Sequence, residues 1–196
     1  MSAAARLTNI KIQIENHDSN AWAKAKGWGP IYTAHPDAKI LIIGQAPGRL
    51  AQESGVPWDD PSGRNLRRWM GIGDEIFYDP AKTALIPMDF YFPGSAARGD
   101  IPPRKDFADL WHKQILAEIQ DVRLILLIGQ YAQGYYLGKA KKRTLTETVK
   151  AYAEYMPAYF PLVHPSPRNA IWQKKNPWFV DEVLPKLQRR VQAALK

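Results

Sequence analysis

The sequence predicts an α/β fold: a central four-stranded parallel sheet with helices on both faces. Three observations carry that expectation. Four short apolar runs are rich in β-branched residues, segments with helical spacing lie between them, and turn-rich connections follow the runs. The runs are Lys39–Gly44 (KILIIG), Thr83–Met88 (TALIPM), Arg123–Gly129 (RLILLIG) and Tyr159–His164 (YFPLVH). The first and third are continuously apolar, as strands covered on both faces must be.

The helices follow from apolar periodicity. In Asp106–Gln120, Phe107, Trp111, Ile115 and Ile119 recur every four residues, with Leu110 beside them. Toward the end of the chain, Val180, Val183, Leu184, Leu187, Val191 and Leu195 line one helical face. Leu7, Ile10 and Ile14 predict a further short helix at the start. No internal repeat or low-complexity linker divides the chain, so residues 1–196 are expected to form one domain. Two long connections interrupt the order, Ala46–Gly63 and Pro93–Lys105. Long loops in compact domains tend to be functional, and ligands of such sheets bind at the carboxyl ends of the strands.

Composition bounds the chemistry. The chain has no cysteine, which excludes disulfides, thiolate zinc sites, iron–sulfur clusters and a cysteine nucleophile. No metal and no cofactor are expected. No apolar run reaches the roughly 18 residues of a membrane span, and no hydrophobic signal core opens the chain. The expectation is a soluble monomer of the cytoplasm or nucleoid of a bacterium, without membrane contact. With 27 Lys+Arg against 19 Asp+Glu, the formal charge of +8 favours polyanionic partners, nucleic acid foremost.

Two motifs stand at predicted strand ends. Gly44-Gln45-Ala46-Pro47-Gly48 follows the first run, where glycines let backbone approach a ligand and Pro47 sets the chain direction. Taken alone it is an ordinary turn, and it lacks the glycine spacing of a nucleotide-phosphate loop. His164-Pro165-Ser166-Pro167-Arg168-Asn169 follows the fourth run, a histidine leading into a proline-stiffened basic loop.

Together, about 120 residues apart, the two motifs resemble those of the uracil-DNA glycosylase superfamily, whose members carry G-[QEM]-x-P after the first strand and an HPS-type motif after the last. His35–Gly48 (HPDAKILIIGQAPG) is similar to the thermophile-type iron–sulfur uracil glycosylases, and HPSPRN to the single-strand-selective monofunctional enzymes. The missing cysteines set this chain apart from the iron–sulfur branches. The resemblance implies a three-layer α/β/α, uracil-DNA glycosylase-like fold. It also implies a glycosylase that cuts the N-glycosidic bond of a base flipped out of DNA.

Site roles follow from the resemblance. His164 would donate to the departing base; its structural alternative is a histidine that closes a strand end. Gln45 would contact the base or position water, and Gly44 and Ala46 would line the base pocket. Ala46 stands where several relatives carry Asp or Asn, so another carboxylate must serve the water. Asp60, in Asp60-Pro61-Ser62-Gly63, is favoured over Asp59, although Asp-Pro-Ser-Gly is also a good helix start. Trp58 would stack on the base, or be a core tryptophan. Met88 or Asp89 would stand where relatives place an asparagine that reads the uracil edge. Ser166, Pro167, Arg168 and Asn169 would form a wedge and phosphate clamp, with Lys139–Arg143, Lys174 and Lys175 as non-specific phosphate contacts. His17, His35 and His112 are expected to be structural or exposed. Uracil is the foremost substrate; hypoxanthine, xanthine and oxidised pyrimidines are also compatible. Two rivals stand beside the enzyme: a damaged-DNA-binding protein of the same fold without catalysis, and a small-molecule or nucleotide hydrolase.

Overall fold

The structure is a computed structural model that describes residues 1–96 and 99–196. Strands β1 (Ile40–Ile43), β2 (Thr83–Leu85), β3 (Leu124–Ile128) and β4 (Phe160–Leu162) form one sheet in the order β2-β1-β3-β4. All three pairings are parallel, with Leu41 opposite Ala84 and Ile125, and Leu127 opposite Pro161. Each strand falls inside its predicted run, and backbone bonding continues past the end of β2, where the Ile86 N–H donates to the Ile42 carbonyl at 2.9 Å.

The sheet separates two apolar cores. Leu41, Ile43, Ala84, Ile86 and Leu127 face one layer, which holds α1 (Ala3–Asn16), α3 (Phe107–Leu116) and α4 (Gly129–Leu137). Ile40, Ile42, Leu85, Leu126, Phe160 and Leu162 face the other, covered by α2 (Pro61–Met70) and α5 (Leu184–Leu195). Successive residues of β1 thus point into opposite cores, which is why the strand tolerates no polar residue. The result is the expected three-layer α/β/α arrangement. Among the described residues no helix is long and apolar enough to cross a membrane.

Two predicted helical faces need correction. Leu110 is exposed on α3, while Phe107, Trp111, Ile115 and Ile119 are buried. Near the C-terminus, Phe179–Val183 forms a π-helical turn before α5. Its wider i→i+5 turn brings Phe179, four residues before Val183, into the core and leaves Val180 outside. Both margins of the sheet are modified. Thr33 makes an antiparallel bridge to Leu85 beside β2, and β4, at the other margin, carries Pro161 at its centre.

The Ala46–Gly63 connection contains the short helix Arg49–Ser54 and ends in the start of α2. Pro93–Lys105 carries a small antiparallel ribbon, Ser95–Ala96 with Gly99–Asp100; Ala97 and Arg98 lie outside the described residues. Arg104 anchors this connection. Its guanidinium grips the buried Asp89 through Nε and Nη2 at 2.7 and 2.8 Å and reaches the Asn20 side chain at 2.7 Å.

Of the histidines set aside as structural or exposed, His112 is fully enclosed. Its Nε2 donates to the Pro87 carbonyl at 2.9 Å, so Nδ1 accepts from the Tyr136 hydroxyl at 2.6 Å. Burial lowers its pKa from the ordinary 6.5 to about 4. A histidine kept neutral in the fold stabilises above pH 6.5, and that contribution is lost as the unfolded chain gains its proton toward pH 4. Acidification from pH 7.5 to 4.5 is expected to cost the wild type about 2 kcal/mol more than a His112→Gln variant. Urea unfolding at the two pH values checks this, and parallel curves for the two proteins would assign the acid loss to other groups.

Candidate active site

At the carboxyl ends of β1, β3 and β4 the loops enclose a cleft of about 670 Å³. The loop from β1 builds one wall. Gly48 opens the Arg49–Ser54 helix, Gly55 closes it in the left-handed conformation, and Trp58 also adopts a positive φ of 60°. A non-glycine residue in that region costs of the order of 1–3 kcal/mol, so its surroundings must hold it. Here two glycines do. A Cβ on Gly44 would stand 2.9 Å from the Trp58 ring, and one on Gly63 would stand 1.8 Å from the Trp58 carbonyl oxygen. Only bare backbone on both sides lets the indole lie in the cleft.

Asp60 follows as the N-cap of α2. Its Oδ1 accepts from the Gly63 N–H at 2.7 Å, and Pro61 occupies the first helical position. The helix-start reading of Asp-Pro-Ser-Gly is therefore correct. The second oxygen is left for the cleft, beside Gly48: a Cβ there would stand 3.7 Å from Oδ2. Asp60 can thus be a cap and a cleft carboxylate together.

The opposite wall is the second motif. His164 lies against Trp58, with ring centroids 5.8 Å apart and planes inclined by 26°. Burial pulls the His164 pKa below the ordinary value, opposed by the negative charges of Asp60 and Asp100. Its imidazole is accordingly neutral near pH 7, and its ring nitrogens have no hydrogen-bond partner among the described residues. The loop after it is held by side-chain amides. Asn65 of α2 donates to the Pro165 carbonyl at 2.9 Å, and Asn169 donates to the His164 carbonyl at 2.7 Å. The strand end beneath is tied by Gln133, which donates to the carbonyls of Leu127 and Leu162 at 3.1 and 2.8 Å.

The cleft brings together most of the residues expected there. Gly44, Gln45, Ala46, Trp58 and Asp60 line it from one side, and His164, Ser166, Pro167 and Arg168 from the other. Gln45 donates through Nε2 to the Ile101 carbonyl at 3.3 Å. Asp59 is exposed and outside the cleft.

Three expected residues stand elsewhere. Met88 is buried among core side chains, and Asp89 is 1% exposed and gripped by Arg104. The physical reason is backbone pairing. After β2 the chain continues alongside the first motif, Met88 N–H donating to the Gly44 carbonyl at 2.9 Å and Asp89 N–H to that of Gln45 at 3.1 Å. Asp89 also accepts from the Tyr91 and Arg104 N–H groups, which leaves it no base edge to read. Pro87, not Met88 or Asp89, lines the cleft. Asn169 does not line the cleft; its side-chain amide donates to the His164 carbonyl of its own loop.

Sequence reading overlooked Gln130, Tyr131 and Asp100, which also line the cleft. Gln130 and Tyr131 were findable: they follow Gly129 at the carboxyl end of the third apolar run. Asp100 sits in the ribbon of the Pro93–Lys105 connection, where no spacing marks it.

A family model described as the Uracil DNA glycosylase superfamily matches residues 30–188. The chain belongs to that superfamily. The matched span starts before β1 and runs into α5, so it contains all four strands and both cleft motifs. Members of this superfamily are generally DNA glycosylases, enzymes of base-excision repair.

Proposed function

We propose that the chain is a monofunctional DNA glycosylase that hydrolyses the N-glycosidic bond of a flipped, deaminated base, uracil foremost. The observation that carries this reading is the convergence of three groups on one cleft: a neutral His164, the free oxygen of Asp60, and the Trp58 ring beside the imidazole.

The chemistry follows from those groups. As the C1′–N bond breaks, its electron pair leaves on the base and the sugar gains oxocarbenium character. A neutral His164 N–H donates to the base oxygen that gathers the negative charge. The Asp60 carboxylate faces the developing positive charge and accepts a proton from the water that bonds to C1′. Trp58 offers the flipped base a stacking face, and Arg168 a cation at the mouth for phosphate.

A second reading, damaged-DNA recognition with little or no turnover, is favoured by one feature: Ala46 puts a methyl group in the cleft where several relatives carry a polar side chain.

The two readings separate on oligonucleotides bearing single uracil, hypoxanthine, xanthine or hydroxymethyluracil lesions, treated with alkali after incubation. The enzyme is expected to yield a lesion-specific band. In Asp60→Asn the amide oxygen can still cap α2, so folding should persist while turnover drops by about 100-fold. No band from any lesion, with tight DNA binding retained, would favour recognition without catalysis.

A further inference from the structure

The charges that line the cleft are mostly negative. Among the described residues Asp60 and Asp100 line it, against one cation, Arg168 at the mouth. Both carboxylates act by charge on the His164 proton. A base that leaves as an anion gains most from positive charge nearby. Here it meets a neutral imidazole and two negative groups.

Asp100 is carried to the cleft on backbone bonds. Its neighbour Ile101 donates its N–H to the Gly94 carbonyl at 2.9 Å and accepts from Gln45 Nε2 at 3.3 Å. Ser95 Oγ donates to Asp100 Oδ1 at 3.4 Å. The ribbon is thus tied to the first motif, and Asp100 makes no ion pair among the described residues. The position just after β2 reads no base edge. Pro87 lines the cleft there, has no N–H, and its carbonyl already accepts from His112. What the cleft offers instead is the Trp58 indole and unpaired negative charge, a combination that favours cations over neutral rings. Its volume of about 670 Å³ admits a bicyclic base.

Resting on the glycosylase reading above, we infer that the cleft also takes purines N-alkylated to a formal cation, N7-methylguanine the simplest. Trp58 stacks on the charged ring, and Asp100 selects its charge. The chemistry balances without a donor. The C1′–N9 bond breaks, its electron pair neutralises the cation, and the purine leaves uncharged. The oxygen of water bonds to C1′, and the proton that the water loses passes to Asp60. His164 has no departing anion to meet.

The test compares a duplex carrying one N7-methylguanine with the same duplex carrying one uracil. An abasic-site endonuclease nicks the products at neutral pH, because alkali opens the methylated ring. Wild type is expected to release the methylated purine at least about tenfold faster than it is lost without protein. Asp100→Asn should lower kcat/KM on that substrate about fivefold and raise it on uracil about twofold, since a like charge near the departing anion is gone. Asp100→Glu keeps the charge and should stay within about twofold of wild type on the methylated purine. His164→Ala should cost the methylated purine at most about threefold, against about 100-fold or more for uracil. An Asp100→Asn or His164→Ala variant that slows both substrates alike would overturn the inference. Release of uracil alone would also overturn it and leave the glycosylase reading standing. Release of the methylated purine alone would sink uracil as the foremost substrate and keep the inference, and release of neither would sink both.

Discussion

His164→Ala is expected to slow excision by about 100- to 1,000-fold in single-turnover assays, the usual effect of removing one donor to a developing anion. Binding to an abasic analogue should stay within about threefold, because the donor matters most when charge builds on the base. The half-buried ring packs against Trp58 and makes no side-chain hydrogen bond among the described residues, so truncation should leave the fold largely intact. Burial holds the imidazole pKa below the ordinary range, so activity should persist at pH 6.5, where an unperturbed histidine is half charged. It should decline only in more acidic solution, as the ring gains its second proton and the cleft a charge. A loss under tenfold would move the donor role to another group of the cleft, with Gln45 the first to examine.

The largest structural effect is expected at a residue with no side chain. In Gly63→Ala the new Cβ meets backbone, 1.8 Å from the Trp58 oxygen and 2.7 Å from its carbonyl carbon. Backbone cannot swing aside as a flexible side chain can. The Trp58–Asp60 segment must move, and with it the cap of α2 and the stacking ring. A destabilisation of roughly 4 kcal/mol, or loss of soluble protein, is expected, together with loss of excision. Gly134→Ala supplies the contrast: it lies in α4 with nothing within 4 Å of its Cβ, and should stabilise by about 0.5–1 kcal/mol. Melting temperatures of the two variants should shift in opposite directions. Equal stability for Gly63→Ala would mean that the turn at Trp58 is built differently.

The architecture was legible because its signals are local and redundant. Each strand of the sheet is an apolar run, and α1 and α3 declare themselves through one buried stripe apiece. The misplaced positions arise where a local rule meets a tertiary exception. Val180 fits an α-helical face, but a π turn rotates that face onto Phe179. The residues immediately after strands β1 and β4 reach the cleft because the strand end dictates where they must be. Asp89 was misjudged because its partner, Arg104, is fifteen residues away and nothing in the spacing links them. Asp60 had two readings, and the geometry accommodates both: one oxygen caps the helix and the other remains for the cleft.

The modified margins of the sheet carry a consequence for the protein in a crowded solution. An unpaired outer strand is a template on which a second chain can grow, strand by strand, into an aggregate. β4 has only three residues, and the central one is Pro161, which lacks the N–H that a docking strand would need. Just beyond it, the carbonyls of His164 and Pro165 are already occupied by Asn169 and Asn65. On the far side, Thr33 is bridged to Leu85 and covers part of β2. Copies of this protein at high concentration therefore find little open ladder through which to zip together. The proline-rich segment that shapes the cleft also helps keep neighbouring molecules apart.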